Sequence, residues 1–288
     1  MKKIRLAGVP EHFNLPWHIA YEEGLFDSID VDLEFIDHPG GTGAMSQSLL
    51  EDKVDMALLL TEGAVNFISK NPSYKIIKFY VDSPLLWGVH VGEQSKIVST
   101  NQVDQFPFAI SRLGSGSHLM AYVYAQSLGL NTANLKFEII KNLDGLRAAY
   151  SDGLEASFLW EKFTTKPFVD NGEMRRIDVC PTPWPCFVLV AHEDFIEENH
   201  EDVSNVIDAI NVTTSQFKSR PNLANEIANR YELKEEDVEE WLADTEWNSD
   251  LTISRDVLEE VVDQLVDLEI IESSIDVDDL VSELTELQ

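Results

Sequence analysis

The chain has 288 residues, a length that suits two lobes of roughly 100–150 residues each. Hydrophobic residues make up 44% and charged residues 25%, the balance of a folded globular protein rather than a disordered one. Its 52 acidic and 21 basic residues give a formal charge of −31, which repels phosphate backbones and anionic lipid head groups and argues against nucleic acid and membrane as partners.

In chain order, residues 3–8 read as a strand and 17–23 as a helix that Gly24 stops. Residues 31–36 alternate like a strand, and 39–43 (Pro-Gly-Gly-Thr-Gly) read as a loop before a helix over 44–51. A buried-type strand over 54–60 follows, Thr61-Glu62-Gly63 opens another helix, and 75–80 forms a further strand. Strands that alternate with helices imply a parallel sheet with right-handed crossovers.

A second α/β unit follows residues 83–91: strand 106–111, turn 114–117, helix 118–128, strand 137–140, helix 143–151 and strand 156–160. Pro181-Thr182-Pro183-Trp184-Pro185 then leads into a very apolar strand over 186–191. Beyond about residue 193 the pattern is helical, with candidates over 201–219, 223–231, 234–245 and 255–268. Two strand-like stretches, 85–91 and 186–191, border the middle unit as hinge crossings would. The expected fold is therefore α/β, two interleaved lobes with mostly parallel sheets: residues 1–88 plus 189–288 with a helical tail, and residues 89–188.

The acid excess is concentrated at the end, where residues 231–288 hold 21 acids against Lys234 and Arg255. Val257, Val261, Leu265 and Leu268 recur there at helical spacing, so the stretch reads as acidic-faced helices. The excess equally fits a salty or crowded cytosol. Cys180 and Cys186 have no completing metal pattern and are expected as free thiols. No stretch reaches the roughly 20 apolar residues that span a bilayer. The first residues, broken by Arg5 and closed by Gly8 and Pro10, do not make a secretory signal. A complete chain of this kind is expected in the cytoplasm, and one trimmed of a leader in the periplasm.

Ligands of open α/β sheets sit beyond the carboxyl ends of the strands, between two lobes here. One lobe offers Glu11, His12, Phe13, Gly41, Thr42, Thr61 and Glu62 at those positions. The other offers Arg112, Ser115, Ser117, His118, Asn142, Trp160 and Glu161, and the hinge adds Trp87 and Trp184. The two glycine turns, 40–43 and 114–117, precede helices as anion-cradling turns do; each alone is more often a plain tight turn, and their corresponding places in two α/β units favour the functional reading. Glu11, Glu62 and Glu161 suggest ligand groups that donate hydrogen bonds or carry positive charge, or else cap helices. Arg112 pairs with one of them or holds a ligand acid. The tryptophans and Phe13 stack on a flat ring or pack in the core. His12 and His118 fall on the expected cleft loops; His18, His38 and His90 read as structural or solvated, and no metal or cofactor is expected.

Several runs carry a resemblance. Val9-Pro10-Glu11-His12-Phe13, Gly24-Leu25-Phe26, the 39–43 loop and Val54-Asp55-Met56-Ala57 resemble the type 2 periplasmic substrate-binding proteins, in the branch serving nitrate, sulfonate, taurine and thiamine-pyrimidine-precursor uptake. A subgroup that includes fungal members without secretion signals is similar over Thr61-Glu62, Ser83-Pro-Leu-Leu-Trp87, Ser111-Arg-Leu-Gly-Ser-Gly-Ser117, Trp160-Glu-Lys-Phe-Thr164 and Thr182-Pro-Trp184. The resemblance implies the fold and a binding role, with a membrane permease as partner for an exported chain. The leading expectation is a non-catalytic binder of a small, nitrogenous, ring-containing metabolite. A cytosolic enzyme on this fold (a lyase, or a pyrimidine-precursor synthase) and a ligand-sensing module are the alternatives, with Glu11, His12 and Glu161 as acid/base groups in the enzyme.

Overall fold

In the computed structural model, which describes residues 1–288, strands and helices alternate from the N-terminus. The elements are β1 (Lys2–Gly8), α1 (Leu15–Glu22), α2 (Leu25–Ser28), β2 (Val31–Asp37), α3 (Gly41–Leu50), β3 (Met56–Leu60), α4 (Thr61–Ile68) and β4 (Tyr74–Gly92). Then come β5 (Phe108–Ile110), α5 (Gly116–Ser127), β6 (Phe137–Ile139), α6 (Leu143–Ser151), β7 (Ser157–Glu161), α7 (Lys166–Asp170) and β8 (Met174–His192). The C-terminal part holds α8 (Glu193–Glu198), α9 (His200–Phe217), α10 (Leu223–Tyr231), α11 (Glu235–Asp244), β9 (Thr252–Ile253), α12 (Arg255–Asp267) and β10 (Glu286–Leu287).

The chain divides into two compact units, Met1–Ser83 with Trp184–Gln288, and Pro84–Pro183. It passes from one to the other inside β4 and returns inside β8. In unit 1, β1 pairs in parallel with β2 over its whole length and with β3 through Leu6↔Met56. Ile4 and Leu6 are fully buried, while Arg5, on the opposite face, meets Asp55 at 2.6 Å, as the period of two requires. The unit 1 part of β8 runs antiparallel to β3, Leu60 facing Phe187. In unit 2, β5 pairs in parallel with β6 and β7, and β4 lies antiparallel to β7 with Trp87 opposite Glu161. The strand pairing within each unit is thus mixed, because the long crossing strands enter against the direction of their neighbours.

The C-terminal helices are amphipathic. α9 buries Val203, Val206, Ile207, Ile210 and Phe217, and α12 buries Leu258, Val261, Val262 and Leu265 beneath an acidic outer face. Beneath them lies Lys78, a lysine only 1% exposed, whose ammonium meets Asn211 Oδ1 on α9 and the Asn248 carbonyl. Burial pushes its pKa down to about 8 despite nearby Asp82 and Asp250. No helix is long and apolar enough to cross a membrane.

Two local expectations change. The segment 39–43 is not a loop throughout, since Gly41, at φ +66°, begins α3 and Thr42 and Gly43 lie in its first turn. The stretches 75–80 and 85–91 join into one 19-residue strand, and β8 runs straight through three prolines. Pro181, Pro183 and Pro185 alternate, so their missing N–H groups all fall on one edge of the strand while the other edge keeps its donors.

Thr42 explains one glycine. Its hydroxyl accepts the Leu60 amide at 3.1 Å, and a Cβ on Gly63 would stand 2.5 Å from its Cγ2. Because that hydrogen bond pins the threonine, Gly63→Ala should cost about 1–3 kcal/mol through overpacking, more than the helix propensity it gains. Thr42→Ser keeps the hydroxyl and removes the clashing methyl. We expect the double variant to recover most of the loss in urea unfolding; purely additive effects would show that the contact does not limit the packing.

Candidate functional site

At the strand ends of unit 1 the backbone delivers β1 into the turn His12–Asn14 and β3 directly into α4. Thr61 is fully buried and donates to the Pro185 carbonyl at 2.5 Å. Glu62, 2% exposed, accepts the Trp184 indole N–H on Oε2 at 2.9 Å. Its other oxygen, Oε1, is buried without a partner. Burial drives this carboxyl up to about 7, against the lowering influence of hydrogen bonds from its own backbone and Trp184. Near neutrality Glu62 is therefore split between carboxylate and acid, an acceptor in one form and a donor in the other.

The residues after β1 are less open than the sequence suggests. Phe13 is 3% exposed and packs on Phe187, with ring centroids 5.3 Å apart. Its carbonyl accepts Tyr80 Oη–H at 2.8 Å and Trp247 Nε1–H at 3.1 Å. His12 is 2% exposed and stacks on Phe13, and burial pulls its pKa down to about 3, so the ring is neutral. Glu11, half-buried, caps the following turn by position without a side-chain bond to it. Gly41 and Thr42 are half-buried, Thr42 being occupied in joining α3 to the end of β3.

Unit 2 collects a second group at the end of β5. Gly114, at φ +73°, turns the chain, and Ser115 takes an extended backbone and caps α5 by accepting the His118 amide at 3.3 Å. Ser111, Ser115 and Ser117 are all at least nine-tenths buried. Ser117 Oγ accepts the Ser111 amide at 3.0 Å and lies 3.2 and 3.1 Å from the other two hydroxyls. Two O···O contacts use two of the three hydroxyl hydrogens, which leaves one for an external acceptor. The amides of Gly116 and Ser117 stand in the first helical turn, where no carbonyl of the helix reaches them. His118, half-buried, accepts the Gly114 amide on Nδ1 at 3.1 Å, and burial lowers its pKa.

Arg112 lies in the same loop and is exposed. It has no hydrogen bond or ion pair, whereas Arg5, Arg147, Arg220, Arg230 and Arg255 each hold a carboxylate and Arg175 and Arg176 reach carbonyls.

The remaining expected residues are structural to differing degrees. Glu161 is 4% exposed and spends both oxygens on the Phe163 and Thr164 amides. Asn142 caps α6 by accepting the Gly145 amide at 2.9 Å. Trp160 is half-buried and stacks on Phe158. Trp87 is 4% exposed, opposite Glu161, with its indole nitrogen unpartnered. Of the three expected carboxylates, Glu161 is committed to the backbone and Glu62 keeps one buried oxygen without a partner. Sequence reasoning missed Tyr231 and Trp241, which press on His12 from α10 and α11; aromatic residues in an otherwise acidic tail were the available signal. No three His, Cys, Asp or Glu side chains gather to hold a metal ion.

The raised pKa of Glu62 has a thermodynamic sign. The folded state binds this proton more tightly than the unfolded chain, so the stabilisation is complete below about 4.5 and is lost as pH rises through about 7. The full loss is on the order of 3 kcal/mol. Glu62→Gln, which cannot ionise, should gain melting temperature relative to the native protein between pH 5 and pH 8. Identical pH slopes for the two chains would contradict the assignment.

Comparison with known proteins follows the same lines. A family model described as Ca3427-like PBP (periplasmic binding protein) matches residues 87–180. The solved structure of the Candida albicans CA3427 gene product, described as defining a new family with the generic periplasmic binding protein fold, is 30% identical with a TM-score of 0.90, covering 100% of this chain and 98% of that one. The alkanesulfonate-binding protein SsuA of Xanthomonas axonopodis pv. citri, bound to MOPS, is 12% identical with a TM-score of 0.81 over 98% of each chain. The nitrate-binding protein NrtA of Synechocystis PCC 6803 is 13% identical with a TM-score of 0.76, over 99% of this chain and 86% of that one. At those identities the last two establish the fold alone. No curated protein matches the chain. The type 2 periplasmic-binding-protein fold expected from the sequence is thus the fold observed, and the chain belongs to the CA3427 family that carries it.

Proposed function

We propose that this protein is a non-catalytic small-molecule receptor whose ligand carries an anionic group, received in unit 2 by the first turn of α5 and Arg112. The single observation that carries the reading is Arg112, exposed and unpaired in a chain of net charge −31. A guanidinium in so acidic a protein has carboxylates in abundance to choose from, and the other seven arginines all have partners. Beside it stand the first-turn amides of Gly116 and Ser117 and the surplus hydroxyl hydrogen of the three serines. Helix N-terminal amides with a fork-shaped guanidinium suit a sulfonate, phosphonate, nitrate or carboxylate. The relatives named for alkanesulfonate and nitrate point to the same class.

This changes the balance from the sequence reading, in which three carboxylates favoured a ligand of nitrogen donors. With Glu161 satisfied by backbone amides, that preference narrows to Glu62 Oε1, which can accept an N–H from a nitrogenous ring. Binding rather than turnover is favoured because His12 is held neutral and buried, and Glu161 is fixed by its hydrogen bonds, so neither is poised for proton transfer. A receptor of this kind serves a permease when exported and senses or buffers its ligand when retained.

Calorimetry with taurine, methylphosphonate, nitrate, acetate, aminopyrimidines and purines tests the proposal. At least one anion should bind, and Arg112→Ala should weaken it roughly 10- to 100-fold, as expected for a lost charge-assisted pair. Arg112→Lys should retain part of the affinity. Binding of aminopyrimidines alone, or anion affinity unchanged in Arg112→Ala, would overturn it.

A further inference from the structure

Unit 1 leaves a row of backbone groups unpaired along the outer edge of β2. This strand is the last on its side and pairs only with β1, in a register unbroken from Val31 to Asp37. The flanking bonds fix which residues face inward. Lys2 N–H donates to the Asp30 carbonyl at 2.9 Å, and His38 N–H donates to the Gly8 carbonyl at 2.8 Å. Backbone groups alternate between the two sides of a strand, so the even-numbered residues bond β1. The N–H and C=O groups of Val31, Leu33, Phe35 and Asp37 therefore point away from the sheet.

Such an edge is a template for another strand, and proteins commonly blunt it with proline, a bulge or a short strand. The terminal strand of unit 2, β6, has only three residues. β2 has seven, with no proline and no bulge. A groove of about 360 Å³ lies against it, lined by residues 32–35 with Lys3, His18 and Tyr21. Its two sides differ in chemistry. On the side of α1, Tyr21 is 61% exposed, and the His18 ring packs against Phe35 with centroids 4.6 Å apart. On the opposite face Asp32 and Glu34 are both exposed, as the period of two requires. Lys3 meets Glu34 at 2.8 Å, and Asp32 holds no ion pair.

An added strand sets one row of its side chains against rings and the other against carboxylates. We propose that the outer edge of β2 is a docking site for an extended segment of a partner protein in which apolar and basic residues alternate. Main-chain bonds to Leu33 and Phe35 supply affinity, and the two rows of side chains supply selectivity. A second copy of this chain does not fit, because antiparallel pairing of two such edges sets their acidic rows side by side in a chain of net charge −31. The site lies within unit 1 and stands independently of the anion reading.

The test uses the full chain and a blocked heptapeptide of alternating valine and lysine, in about 0.15 M salt to screen distant charges. The peptide should bind saturably and slow hydrogen exchange at the Leu33 and Phe35 amides, while those of Asp32 and Glu34, already in the ladder, change little. A peptide of the same composition with its lysines in one block should bind roughly 10-fold more weakly, since it keeps the charge but loses the alternation. N-methylation of one alternate set of peptide amides should abolish binding and of the other set should not, because a strand bonds through one edge. Asp32→Lys should weaken binding roughly 5-fold, and Tyr21→Ala should also weaken it; both side chains are exposed, so the melting temperature should hold. The proposal is overturned if the block peptide binds equally well, if both methylated peptides behave alike, or if the Leu33 and Phe35 amides stay unprotected. Protection of those amides without peptide, in a chain that sediments as a dimer, would assign the edge to self-association instead.

Discussion

The first turn of α4 is tied to the strand that re-enters unit 1, and the strand ends depend on that tie. β3 pairs with β8 up to Leu60 opposite Phe187. Beyond that point side chains continue where the ladder stops: Thr61 bonds the Pro185 carbonyl and Glu62 bonds the Trp184 indole. Pro185 has no N–H to offer, so a hydroxyl reaching its carbonyl serves in place of a ladder bond. The consequence is a carboxyl buried with one oxygen unsatisfied, which raises its affinity for a proton. A structural constraint thereby creates a chemically distinctive group. Packing and reactivity at this point have one cause.

The charge distribution follows a comparable logic. An acidic protein of this size can pair nearly every guanidinium with a carboxylate at little cost, and this one does so on the surfaces of both units. Leaving Arg112 free runs against the local field, because a lone cation is attracted to the surrounding acids. What keeps it apart is the loop around it. Gly114 in the left-handed region and the extended Ser115 commit residues 111–118 to capping α5, and the Ser115 and Ser117 oxygens and His118 Nδ1 accept backbone amides of the loop without Arg112.

The buried histidines show how the same residue type is placed for different ends. His90 has its Nε2 2.9 Å from Thr165 Oγ1 within unit 2, and a Cβ on Gly88 would stand 2.4 Å from its ring. It packs a strand. His12 has no such bond and is instead surrounded by rings contributed from the C-terminal helices. Burial keeps both neutral, each pulled down to about 3.

The periodicity of the chain was enough to place most strands and helices, because core faces must be apolar at the spacing their backbone imposes. It placed α6 and α10 at their observed limits and identified the acidic face of α12. The glycine-serine run at 111–117 was also legible, since a tight turn before a helix demands those residues. The sequence misjudged continuity at the proline-rich crossing, as the cost of a proline depends on which edge of a strand needs donors. Nor could it tell which of three glutamates stays available, because Glu161 is consumed by amides two and three residues ahead while Glu62 meets a tryptophan 122 positions away. Local pattern determined the elements and the loops where chemistry gathers. Only the tertiary structure decided which polar atoms are satisfied there, since hydrogen-bond partners distant in sequence are chosen by packing.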